Sequence, residues 1–217
     1  MKIFLDSADV NEVKKVYDMG ILDGITTNPT LVSKQNQDPK KTLKEVCGIS
    51  NVPVLAEPVS IKYEDIVAES KDLAGIAKNI YAKIPVTVDG LRAIKTLSGK
   101  GIKTAVTLIF SVEQAILSAK AGADFICPFV GRLDDTGVKG VEVIKEIVQV
   151  YKTYNFSTKI IVVSVRNIEH IHYSALYGAD SVSIPFKVIE QLYRHPKTDE
   201  GIQKFIEDYN KVKKQGE

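Results

Sequence analysis

The chain has 217 residues, 44% of them hydrophobic, and a formal net charge of +2. That length suits one domain with a sizeable core, and the charge balance gives no basis for a nucleic-acid or membrane-surface partner. Two cysteines, Cys47 and Cys127, stand far apart and no Cys/His cluster has ligand spacing, so neither a disulfide scaffold nor a metal site is expected.

The chain opens MKIFLDSAD, where Asp6 ends the apolar run too early for a signal-peptide core. No run reaches membrane-spanning length, so a cytoplasmic protein is expected. Residues 2–6 form the first of a series of short apolar runs rich in β-branched residues. The others are 24–26, 52–58, 80–85, 103–108, 123–129, 159–165 and 180–185, each short enough for a strand buried on both faces.

Amphipathic stretches lie between them. Asp38 before Pro39 predicts a helix start. Tyr63, Ile66, Val67, Ala74 and Ala77 fall near one helical face. Ser111 and Gln114 have capping-box spacing ahead of the stripe Val112, Ala115, Ile116, Ala119. Val141, Ile144, Ile147, Val148 and Tyr151 make another stripe. Gly20, Gly99, Gly101, Gly122 and Gly178 stand at helix ends. His170 and His172 would point to opposite faces of a helix. After His195-Pro196, Ile202, Phe205, Ile206, Tyr209 and Val212 form a last stripe with no strand after it, able to cover the barrel or pack on another subunit. The lysine-rich end, 211–217, is expected to fray.

Eight β candidates alternating with helical segments imply a parallel sheet. Eight units in this length predict one closed (β/α)8 TIM barrel over 1–217 with an additional C-terminal helix. An open doubly wound sheet is the alternative, but no G-x-G-x-x-G turn follows the first strand.

Barrel enzymes place their chemistry at the C-terminal ends of the strands. Those ends are unusually polar here: Asp6; Thr26, Thr27 and Asn28; Glu57; Lys83; Thr107; Arg132; Ser164 and Arg166; and Ser183. Lys83 is the sharpest. A mid-strand lysine has no obvious route to water, desolvation disfavours its ammonium, and a neutral amine adds to carbonyls to form a Schiff base. A snorkelling lysine, or one in a structural ion pair, reads equally well from the strand context. Asp6 and Glu57 are candidate acid/base carboxylates, although Asp6 also reads as a cap for a helix near Val10 and Glu57 as a solvated strand end. Arg132, Ser164 and Arg166 fit a phosphate clamp. Each arginine also reads as a surface residue, with Asp134 and Asp135 as partners for Arg132.

The strings FLD at 4–6, GITTNPT at 24–30, AKIPVT at 82–87 and PFVGR at 128–132 resemble the short transaldolase family, which includes the fructose-6-phosphate aldolases. The resemblance runs from Met1 to about Phe205. It implies a class I, metal-free and cofactor-free mechanism in which Lys83 forms the Schiff base and Asp6 is the acid/base beside it. Glu57 and Thr107 would hold a catalytic water, and Asn28 would bond substrate hydroxyls above a floor that Thr26 lines. Phe129 would face the substrate, and Arg132, Ser164 and Arg166 would bind its phosphate.

The implied reaction transfers dihydroxyacetone from sedoheptulose 7-phosphate or fructose 6-phosphate to erythrose 4-phosphate or glyceraldehyde 3-phosphate, in the pentose phosphate pathway. The aldolase branch, which releases free dihydroxyacetone, carries glutamine at Glu57 and tyrosine at Phe129; this chain resembles the transaldolase branch at both. Ala105 departs from the asparagine of some longer transaldolases, which bears on Schiff-base hydrogen bonding. The resemblance also implies a homo-oligomer, a pentamer or decamer, in which a helix over 198–214 packs on a neighbour. The competing non-enzymatic reading is a sugar-phosphate-binding barrel, which would need the arginines but not Lys83.

Overall fold

In the computed structural model, which describes residues 1–215, the period-two alternation along each strand separates two cores. β1 (Lys2–Asp6), β2 (Gly24–Thr26), β3 (Val54–Ala56), β4 (Ile80–Pro85), β5 (Thr104–Ile109), β6 (Phe125–Pro128), β7 (Lys159–Val162) and β8 (Ser181–Ile184) close in chain order into a parallel barrel. Phe4, Leu55, Ala105, Cys127 and Ile161 point into it and meet Tyr81 and Phe125. Their strand neighbours Leu5, Val54, Val106, Ile126 and Ile160 point outward under the helices. Phe4 occupies the space beside Gly24, where an added Cβ would come within 2.1 Å of its ring.

The helices follow the expected stripes. α1 (Val10–Asp18) comes after β1, and α2 (Pro29–Ser33) and α3 (Pro39–Cys47) after β2. α4 (Tyr63–Ile76), α5 (Val88–Ser98) and α6 (Val112–Ala121) follow β3, β4 and β5. The short α7 (Val130–Asp134) and long α8 (Gly140–Thr153) follow β6, α9 (Ile168–Tyr177) follows β7, and α10 (Phe186–Leu192) and α11 (Pro196–Gln215) follow β8. Asp38 caps α3 through the Lys41 N–H. Ser111 caps α6, but the Gln114 side chain accepts from Phe110 N–H, one residue before the capping-box position. Gly122 and Gly178 end α6 and α9 in the left-handed region that glycine adopts without strain.

Several strands are shorter than their apolar runs. β3 uses only three residues of 52–58, because Pro53 and Pro58 have no N–H for a ladder. The register slips between Val106 and Ile109, where Leu108 takes a left-handed φ of 58°. Beyond that bulge Leu108 and Phe110 join the interior cluster.

α11 packs only weakly on its own barrel and leaves its apolar stripe, Ile202 to Val212, between 49% and 75% exposed. α11 is helical to Gln215; of the lysine-rich end expected to fray, residues 216 and 217 lie outside the described residues. Among the described residues no helix is long and apolar enough to cross a membrane.

Candidate active site

Register sets the site. Lys83 lies in β4 one position beyond the Ala56–Ala82 pair, which brings Glu57 alongside it from β3. Its side chain turns inward with Tyr81, at the same phase of the strand. Lys83 does not snorkel: it is 5% exposed, and its Nζ lies 2.6 Å from Glu57 Oε1. The ion-pair reading of Lys83 is therefore realised, with Glu57 compensating the buried ammonium. Glu57 is half-buried rather than a solvated strand end.

Asp6 closes the group. It does not cap α1; Asp9 does, through the Asn11 N–H. Asp6 Oδ1 instead accepts from Thr26 Oγ1 at 2.9 Å, across the β1–β2 pair, and the same hydroxyl meets Ser183 Oγ at 2.5 Å. Burial pushes the Asp6 carboxyl above the ordinary aspartate value; the Lys83 charge and the Thr26 hydrogen bond oppose the shift, and Glu57 adds to it. Cys127, in the same interior, has its thiol pushed up to about 12 by burial and stays protonated.

Thr107 sits in the β5 bulge. Its hydroxyl is buried and has no hydrogen-bond partner among the described residues. Bulges near sites re-aim side chains in this way. Asn28 caps α2, its Oδ1 accepting from Leu31 N–H at 2.9 Å, so its amide N–H groups remain as donors. Thr27 bonds Leu55 O and stays structural.

The three phosphate-clamp candidates come from two neighbouring strand ends. Arg132 rides on α7 with its guanidinium 4.6 Å above the Phe129 ring. Ser164 and Arg166 follow β7, with Ser164 in the left-handed region at φ 63°. The two pieces are pressed together at Gly131, where an added Cβ would lie 2.3 Å from Ser164 O and 2.9 Å from Arg166 Nε. The acidic partners differ from expectation. Asp135 makes a two-pronged pair with Arg166, which holds the Asp135 carboxyl below its ordinary value, and Arg132 is left stacked on Phe129.

A family described as Transaldolase/Fructose-6-phosphate aldolase matches residues 3–216. The chain belongs to this transaldolase/fructose-6-phosphate aldolase family. Proteins named "Probable transaldolase" from Thermodesulfovibrio yellowstonii and Caldicellulosiruptor saccharolyticus are each 50% identical to it. Each alignment covers 99% of this chain, and covers 100% and 99% of the relatives respectively. A thiamine phosphate pyrophosphorylase from Pyrococcus furiosus shares the fold, with TM-score 0.57, 14% identity and 85% of each chain covered.

In this transaldolase/aldolase family member, two groups at the site went unassigned in the sequence. Ser183 was visible only as a polar strand residue, and its link to Thr26 depends on β8 closing onto β1. His170 showed only as half of a two-faced histidine pair. The structure buries it and exposes His172, as helical spacing predicts.

Proposed function

We propose that this chain is a transaldolase, moving a dihydroxyacetone unit from a ketose phosphate to an aldose phosphate through a Schiff base on Lys83. The observation that carries this reading is the buried Lys83–Glu57 contact at 2.6 Å with Asp6 in the field of both. A buried ion pair kept for stability alone gains little over apolar packing, and it has no need of a second carboxyl burdened by desolvation.

Glu57 is placed to take a proton from the Lys83 ammonium. The free amine adds to C2 of the ketose phosphate, the C2 oxygen is protonated and leaves as water, and an iminium forms. Asp6, its carboxyl raised above the ordinary aspartate value, removes the C4 hydroxyl proton. The C3–C4 bond breaks, its electron pair passes into the iminium to give an enamine, and the shortened aldose phosphate departs. The enamine then attacks the aldehyde carbon of the acceptor, the new hydroxyl takes the proton from Asp6, and water releases the product from Lys83. Thr107 and Glu57 hold the water that relays these protons; Asn28 and the Thr26–Ser183 pair bond the sugar hydroxyls. Arg132, Ser164 and Arg166 take the phosphate, with Arg166 sharing its fork between Asp135 and the incoming oxygens.

Fructose 6-phosphate and sedoheptulose 7-phosphate are the donors this reading assigns, with erythrose 4-phosphate and glyceraldehyde 3-phosphate as acceptors, as in the pentose phosphate pathway. Glu57 and Phe129 favour transfer over release of free dihydroxyacetone, because Phe129 offers no hydroxyl to a water beside the intermediate. The apolar stripe of α11 supports assembly into a pentamer or decamer with α11 seated on a neighbour. Glyceraldehyde 3-phosphate release from fructose 6-phosphate, followed with and without erythrose 4-phosphate, tests the proposal. Release that depends on the acceptor is expected; equal release without it would make the protein an aldolase.

A further inference from the structure

The clamp that the proposed function assigns to phosphate is built from two pieces that share no strand. Arg132 belongs to α7, after β6; Ser164 and Arg166 belong to the turn after β7. Besides the direct Asp135–Arg166 pair, a side chain from a third element touches both. His170, on α9, is 5% exposed. Its Nδ1 accepts the backbone N–H of Arg166 at 3.3 Å, and its Nε2 lies 2.7 Å from Asp134 Oδ2, two residues beyond Arg132. Asp134 Oδ1 in turn accepts the Gly140 N–H at 2.9 Å, which ties α7 to the start of α8.

The bonds fix each other's polarity. A peptide N–H pointing at Nδ1 makes that nitrogen an acceptor, so the ring proton sits on Nε2 and is donated to the carboxylate. The ring is thus a rigid strut. One end holds the Arg166 peptide, where Ser164 two residues earlier is already in a strained left-handed conformation. The other end holds the α7 turn that carries Arg132. Asn167 caps α9 by accepting the His170 N–H, which fixes the height of the ring above the barrel.

We infer that His170, acting through Asp134, is a positioning residue that sets the spacing of Arg132 against Ser164–Arg166 and thereby the affinity for the phosphoryl end of the sugar. It touches no reacting atom. This inference rests on the transaldolase reading for the identity of the substrate, but its test needs no chemistry at Lys83.

Three variants separate the two ends of the strut. His170→Asn keeps an acceptor near the Nδ1 position, His170→Gln keeps a donor near Nε2, and His170→Phe keeps volume and neither bond. Inorganic phosphate binding, read by ³¹P line broadening, gives the affinity directly. KM for fructose 6-phosphate set against KM for unphosphorylated fructose gives the same effect in turnover.

The expected result is a loss of about tenfold in phosphate affinity for His170→Phe, a factor set by the loss of buried hydrogen bonds. Smaller losses follow for Asn and Gln, and the rise in KM is confined to the phosphorylated ketose. A histidine that merely filled the core would lower the melting temperature and leave phosphate affinity unchanged in all three folded variants. That result, an equal loss for both ketoses, or a wild-type protein that does not bind phosphate would overturn the inference. Because the titration is independent of turnover, it decides the role of His170 even where acceptor-dependent transfer is not observed.

Discussion

Asp6 carries a cost of burial that the proposed proton-transfer role explains. Its folded-state pKa is raised, chiefly by burial, so the native protein holds that proton more tightly than the unfolded chain does. Stability from this group is therefore greatest at pH below the ordinary aspartate value and declines as pH rises from there through the raised one. Above the raised value that contribution is lost. Asp6→Asn keeps an oxygen for the Thr26 hydroxyl and removes the charge. Thermal melts at pH 7 are expected to show a higher melting temperature, while kcat/KM falls by about a hundredfold or more with the proton acceptor gone. In the wild type the acid limb of kcat/KM should lie above the ordinary aspartate value. A destabilised Asp6→Asn variant would contradict the burial argument. Lys83 was legible in the sequence because a lysine inside an apolar strand demands a reason. The His170–Asp134 contact was not, because it depends on where the turns after β6 and β7 come to rest, which no periodicity encodes.

At the scale of elements, interior packing is set by single positions where strands face one another. Phe4 fills the barrel only because Gly24 has no Cβ on the adjoining strand. Gly24→Ala forces the Phe4 ring out of its place, and overpacking of this kind costs about 1–3 kcal/mol. Phe4→Leu in the same chain should recover part of that loss, so the two changes would be non-additive in urea unfolding. Additive losses would mean that the ring moves aside without strain. The strands themselves were readable from their apolar runs and their spacing. Their true ends were less so, since apolar residues continue beyond the ladder into the turns, as at 159–165 against Lys159–Val162. The bulge in β5 left no trace in the sequence because Leu108, not a glycine, occupies the left-handed position.

At the scale of the whole molecule, closure of eight parallel strands brings polar residues from β1, β2, β3, β4, β5 and β8 to one mouth, which explains why isolated strand-end residues that read ambiguously alone become one site together. The alternation of runs and stripes made the barrel legible; the partner of α11 was not, since a chain read alone names no neighbour. With its apolar stripe exposed and little hold on its own barrel, α11 is expected to join subunits. Removing residues 196–217 should reduce the native mass by sedimentation from an oligomer to a single chain with its circular dichroism preserved. An unchanged mass would place the interface elsewhere.

The most direct test of the account is borohydride reduction of the protein in the presence of fructose 6-phosphate, followed by peptide mapping. A reduced three-carbon adduct on Lys83 is expected, lost when erythrose 4-phosphate is added first to carry the unit away. No adduct, or one on a different lysine, would contradict it.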